Sequence, residues 1–285
     1  MSGDPSFSST LPPVVVRHRT IAFTSGKGGV GKSNLVLNTG LALARRGKRV
    51  VILDGDLGLA SINVLLGLSP RFDLRHVLAG ERALADIVLQ GPHGLSVIPA
   101  GSGIAELANL DESAREALLG ELSQLAETVD YLLIDTGAGI NDTVLNLVVA
   151  SDEAIVVTRA EPTALADAYA LIKVIVQQEP AFPFHLLINM VRDGRQAEQV
   201  FGSLEQILVR FLGYQPGNAG HVVSDARVGQ AVVQQVPFTI LAPQCPAARD
   251  VETLAARILG GEAKTPPARR RQGFWARIGL WGRSA

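Results

Sequence analysis

Six short apolar runs recur along the chain with few polar interruptions: residues 20–25 (TIAFTS), 49–54 (RVVILD), 95–100 (LSVIPA), 131–136 (YLLIDT), 153–158 (EAIVVT) and 185–191 (HLLINMV). Continuous, β-branched runs of this length predict strands buried on both faces. Between them, residues 32–46, 111–127, 140–150, 163–178 and 196–212 place apolar residues at helical spacing. Strand–helix alternation predicts an α/β domain with a doubly wound, mostly parallel sheet over residues 18–260. Residues 1–17, rich in Pro and Ser, read as a flexible arm, and residues 261–285 as a linker followed by a helix.

The chain has 285 residues, 47% hydrophobic and 19% charged, which fits one large domain with tails and excludes disordered and fibrous classes. A net charge of −1 provides no global attraction for nucleic acid. The one cysteine, Cys245, has no internal disulfide partner and reads as a packed or loop thiol rather than a nucleophile. The N-terminus does not read as a secretory signal and no run reads as long enough to span a bilayer, so the protein is expected in the cytoplasm. Five scattered histidines have no ligand spacing.

The stretch TSGKGGVGKSN follows the first strand and opens the first helix. Within it Gly26, Lys27, Gly28, Gly29, Val30, Gly31, Lys32 and Ser33, followed by Asn34, satisfy the phosphate-loop pattern in its required context. Glycines let backbone N–H groups converge on phosphate oxygens, and the helix N-terminus adds its positive end. Lys32 is expected to reach the β- and γ-phosphates and Ser33 to ligate Mg²⁺. Asp54, Asp56 and Asp135 stand at or just after strand ends, the side where open α/β sheets bind ligands. Asp135 is expected to hold magnesium through its water shell, and one of Asp54 and Asp56 to orient the attacking water. The guanine-specific Asn-Lys-x-Asp run is missing, since the late strand ends Asn189-Met190-Val191-Arg192-Asp193. That favours ATP, with Asn189 at the adenine edge.

The C-terminal stretch RRRQGFWARIGLWGRSA carries both tryptophans of the chain. On a helix Phe274, Trp275, Ile278 and Trp281 share one face. From Ala263 onward there are six basic residues, Arg277 among them, and no acid; with a total of −1, the rest of the chain carries −7. This composition predicts a helix that lies in an anionic lipid surface rather than one docked on the protein's own core.

The loop with two lysines resembles the deviant Walker A motif of the MinD/ParA ATPases. The stretches 54–68 (DGDLGLASINVLLGL), 97–110 (VIPAGSGIAELANL), 131–140 (YLLIDTGAGI), 161–174 (EPTALADAYALIKV) and 186–193 (LLINMVRD) resemble the flagellar-number regulator branch (FlhG, FleN, YlxH). The resemblance implies an ATPase with ATP and Mg²⁺ as cofactors. It implies that Lys27 crosses to the nucleotide of a second subunit in an ATP-bound homodimer. It implies that Asp56 positions the water, that Asp54 and Asp135 belong to the magnesium site, and that Gly137 senses the γ-phosphate. Gly55 stands where relatives more often have alanine. The implied biology is control of flagellar number and placement by a cycle between cytosolic monomer and membrane-bound dimer. Implied partners are the flagellar GTPase FlhF, the C-ring and a transcriptional activator. The N-terminus lacks the Asp-Gln-Ala run that many relatives use to stimulate the GTPase. A ParA-like partition ATPase and a non-catalytic, ATP-locked adaptor remain the alternatives.

Overall fold

The computed structural model describes residues 18–56, 62–100, 103–106, 128–261 and 274–279, and a few positions between 118 and 125. Eight strands form one sheet: β1 (Arg19–Ser25), β2 (Val50–Gly55), β3 (Leu89–Gln90), β4 (Ser96–Pro99), β5 (Tyr131–Ala138), β6 (Glu153–Arg159), β7 (Phe184–Val191) and β8 (Gly217–Val223). Their order is β3-β4-β2-β5-β1-β6-β7-β8, parallel except for β3 against β4. β1 therefore lies in the interior, between β5 and β6.

Side chains of successive strand residues point to opposite faces. In β5, Leu132 and Ile134 enter one hydrophobic core, while Tyr131 and Leu133 enter the other. Every residue of β1 and β2 is buried. The helices that cover the sheet include α1 (Lys32–Ala44), α2 (Asp142–Ala150), α3 (Pro162–Gln178), α4 (Gly194–Leu212), α5 (Ala226–Gln234) and α6 (Pro246–Gly260). Caps set their ends: Asn141 accepts from Val144 N at 3.0 Å, Asp193 from Gln196 N at 2.8 Å, and Gly213 closes α4 in the left-handed region. Asp225 caps α5 by accepting from Arg227 N at 3.0 Å, and Cys245 is buried at the start of α6.

The predicted strands are all present, and β3 and β8 are additional. A two-residue strand gives no periodic signal. GNAGHVV in β8 is too rich in glycine and polar residues to read as buried. The predicted helix at 111–127 lies mostly outside the described residues.

The C-terminal helix differs from the sequence-based expectation. α7 (Phe274–Gly279) packs on α2, with Phe274, Trp275 and Ile278 only 1%, 3% and 4% exposed within the core. Phe274 and Trp275 meet edge to face, with ring centroids 4.7 Å apart. Arg277 donates to the carbonyl of Ala150 at 2.5 Å and to Asp152 at 3.0 Å. Three of the four residues read as lipid-facing, Phe274, Trp275 and Ile278, are thus covered by the protein itself. A linker of twelve residues, 262–273, has an extended reach of about 40 Å, so Pro-Pro does not keep the helix from its own domain. Trp281 lies outside the described residues.

Candidate functional site

β1 delivers the chain to the phosphate loop, and the loop turns through two left-handed glycines, Gly29 (φ 75°) and Gly31 (φ 85°), into α1. A side chain at Gly31 would also meet the Asn189 amide, whose nitrogen lies 2.5 Å from an ideal Cβ. At Gly26 a Cβ would lie 2.2 Å from the backbone oxygen of Asp167 in α3, so this glycine permits the close approach of helix and loop. Gly28 faces open space. Val30 is buried, and its carbonyl accepts from Asn189 Nδ2 at 2.7 Å. Asn189 thereby braces the loop from the end of β7.

Lys32 is 6% exposed and donates to Asp135 Oδ1 at 2.5 Å, with Asp56 Oδ2 3.6 Å away. Asp54 and Asp135 are register partners on adjacent parallel strands, so their carboxylates stand at one level. Burial pushes the Asp54 carboxyl up to about 7, reinforced by the charge of Asp135. Burial raises Asp135 too, against the opposing pull of Lys32. Asp54 Oδ2 accepts from Ile62 N at 2.9 Å, while Asp54 Oδ1 and Asp135 Oδ2 are buried without a hydrogen-bond partner. Buried carboxylate oxygens lacking donors suit a hydrated divalent cation, and the Ser33 side chain joins Lys32 in opposing the rise of the Asp135 carboxyl. Magnesium usually needs only one or two protein carboxylates beside water and phosphate, so this donor set fits it. Among the described residues no cluster of three or more His, Cys, Asp or Glu forms a metal cage. Gly137 sits beside Asp56: an ideal Cβ there would lie 3.8 Å from Asp56 Oδ1.

Lys27 points away from this cluster. Its Nζ lies 3.1 Å from Thr163 Oγ1 and 3.4 Å from Glu161 Oε2, at the start of α3, and Glu161 also pairs with Arg159 at 2.8 Å. The structure thus joins Lys32, Ser33, Asp54, Asp56, Asp135 and Gly137 at the strand ends, with Asn189 on the loop behind them. It separates Lys27 from that group and leaves Asn34 partly exposed on α1. Glu161 and Thr163 were not legible as loop partners, because they lie 134 and 136 residues along the chain from Lys27 and return to it only through the β1–β6 pairing.

A glycine loop on an interior parallel strand, a buried lysine and strand-end carboxylates define a P-loop nucleotide-binding protein. An AAA-domain family model matches residues 18–182, and the chain belongs to that family, in its MinD/ParA group. Within the group it falls in the FlhG branch. It is 40% identical over 217 residues to the antiactivator FleN of Pseudomonas aeruginosa, covering 76% of this chain and 78% of FleN. It is 37% identical over 193 residues to the flagellum site-determining protein YlxH of Helicobacter pylori, covering 66% and 63% of the two chains. Among solved structures, MinD in the MinC:MinD complex of Aquifex aeolicus superposes with a TM-score of 0.68 at 25% identity, covering 85% of this chain and 96% of that one.

Proposed function

We propose that the chain is a magnesium-dependent ATPase that regulates the number and placement of flagella by cycling between a monomer and an ATP-bound dimer. The observation that carries the reading is the division of labour between two loop lysines: Lys32 buried among carboxylates, Lys27 reaching outward. Magnesium, when bound, would neutralise phosphate charge, with Ser33, Asp54 and Asp135 as its holders. Lys32 exchanges Asp135 for phosphate oxygens, and the loop amides orient the triphosphate. Asp56, the most exposed of the three site carboxylates, takes the water-positioning role, and Gly137 lets the nucleotide approach closely beside it. Asn189 stands at the base-binding side while it holds Val30. Lys27 leaves Glu161 and Thr163 to contact the nucleotide of the second subunit, which makes pairing depend on ATP.

The C-terminal helix supplies the second half of the cycle. Phe274, Trp275 and Ile278, which would enter an anionic bilayer, are buried where the helix packs on α2, so docking and lipid binding exclude one another. Trp275 Nε1 is buried without a partner, a penalty of about 1–3 kcal/mol that keeps the docked state marginal. At a lipid interface the indole N–H finds an acceptor. α2 is capped by Asn141, four residues after Gly137, and the carbonyl of Ala150 at its far end holds Arg277. Movement of α2 on nucleotide binding and dimerisation thus reaches the helix directly. Two freed helices on one dimer bind far better than one through effective concentration. FlhF, the C-ring and a transcriptional activator are the proposed partners, and the inner face of the cell membrane the site of attachment.

Light scattering with a non-hydrolysable ATP analogue, with ADP and with no nucleotide tests the cycle. A doubled mass with the analogue alone is expected, and equal mass in all three states rules the cycle out. Liposome co-sedimentation of the full chain and of a chain ending at residue 261 tests the attachment.

A further inference from the structure

A cavity of about 480 Å³ opens at the end of the sheet opposite the phosphate loop, outside everything assigned above. Its floor is apolar: Ile21, Ile155, Ala219, Leu254 and Ile258. Its near wall is a locked ion-pair cluster. Arg19 holds Glu153 through two nitrogens and donates to the carbonyl of Ile258 at 2.5 Å, and His185 Nε2 lies 3.2 Å from the same carboxylate. At the far wall Arg257 lies against Gly220, where an ideal Cβ would be 2.6 Å from its Nη1. Arg257 forms no ion pair among the described residues. The cavity thus pairs an apolar trough with hydrogen-bond donors at its far end.

We propose that this cavity is the docking groove of the chain's own N-terminal segment, with residues 14–17 lying across the base of the sheet from β1 toward β8. Three observations converge on that occupant. The first is attachment: Arg19, on the cavity wall, is two residues from Arg17, so the segment is tethered at the mouth. The second is span. The cavity runs under the starts of β1, β6, β7 and β8, three strand spacings or about 14 Å, and four extended residues cover about 13–14 Å. The third is chemistry. Val14, Val15 and Val16 form a β-branched apolar run inside an otherwise polar arm, and Pro12 and Pro13 bias the approach toward extended backbone. Pro carbonyls are free to accept from Arg257 at the far end. The other segment leaving this rim begins at residue 262, reads EAKTPPARRRQ and is too polar for the trough. The arm therefore takes it.

Docking of this kind stows the N-terminal arm in the resting protein. It also sets the arm beside the anchor of α7, because Asp152, which accepts from Thr20 N at 2.9 Å, is the carboxylate that holds Arg277.

The test is thiol accessibility in the full chain. Ala219→Cys places a reporter on the floor, and the native Cys245 is buried and gives little background. Maleimide labelling of Cys at 219 is expected to be slow, and to accelerate roughly tenfold or more when Val14, Val15 and Val16 are all changed to Ser, since labelling then needs no local opening. Rapid labelling in both forms means an uncovered cavity. Slow labelling in both means that a small molecule or another segment fills it. Either result overturns the proposal. Hydrogen exchange without the reporter cysteine guards against misfolding of the Ala219 variant: protection across residues 153–155 and 217–219 is expected to fall in the triple-Ser chain, and unchanged exchange overturns the proposal as well.

Discussion

Asp152 joins two ends of the chain: one carboxylate oxygen accepts from Arg277 Nη2 at 3.0 Å and the other from the amide of Thr20 at 2.9 Å. The C-terminal helix is thus fastened to the first residues of β1. Asp152→Asn keeps an acceptor for Thr20 and weakens the hold on Arg277 by about 1.5–3 kcal/mol, the usual range for a charged hydrogen bond. Nucleotide-free protein with this change is expected to co-sediment with anionic liposomes at least tenfold better than the parent. Both tryptophans lie in the C-terminal segment, so their emission reports the release directly.

The Asp54 carboxyl is raised to about 7 against an ordinary 3.8, so the folded, nucleotide-free protein holds a proton that the unfolded chain has lost. The stabilisation is complete below pH 4 and disappears as pH rises through about 7. Thermal melts of the parent and of Asp54→Asn are expected to converge at low pH and to separate between pH 4 and pH 7, the Asn protein being the more stable at pH 8. Parallel curves across that window would remove the raised carboxyl.

Lys27 is tied to Thr163 and Glu161 in an ion pair whose two side chains are 41% and 39% exposed. Such pairs contribute about 0–1 kcal/mol. Glu161→Gln is therefore expected to lower the ATP concentration needed for dimerisation by no more than about fivefold. Lys27→Ala is expected to abolish the dimer while ATP still binds, as read by light scattering beside nucleotide titration.

Gly26 and Gly28 separate packing from sequence pattern. Gly26→Ala drives a methyl group into the Asp167 backbone and is expected to cost about 1–3 kcal/mol and most nucleotide affinity. Gly28→Ala meets nothing within 4 Å and is expected to leave the melting temperature within a degree or two. Denaturation with and without ATP compares the two.

The strands that carry the site were legible because burial on both faces writes a continuous apolar run, as in YLLIDT and RVVILD. The phosphate loop was legible because only glycines fit its left-handed turns. The partners of Lys27 were not, since they meet it across the sheet rather than along the chain. The C-terminal helix shows the limit most clearly. Phe274, Trp275 and Ile278 share a face whether that face meets lipid or α2, and periodicity cannot tell one apolar neighbour from another. The pairing of Arg277 with Asp152, set by the turn between α2 and β6, is a tertiary contact that no periodicity encodes.

The two outer strands carry a consequence for crowding. β3 ends one side after two antiparallel residues, and β8 ends the other with Gly220 at φ 110° and register shifts against β7. Short or kinked borders of this kind cannot template strand-to-strand zippering between copies. Copies of the chain brought to high local concentration are thereby kept from irreversible clumping through their sheet edges.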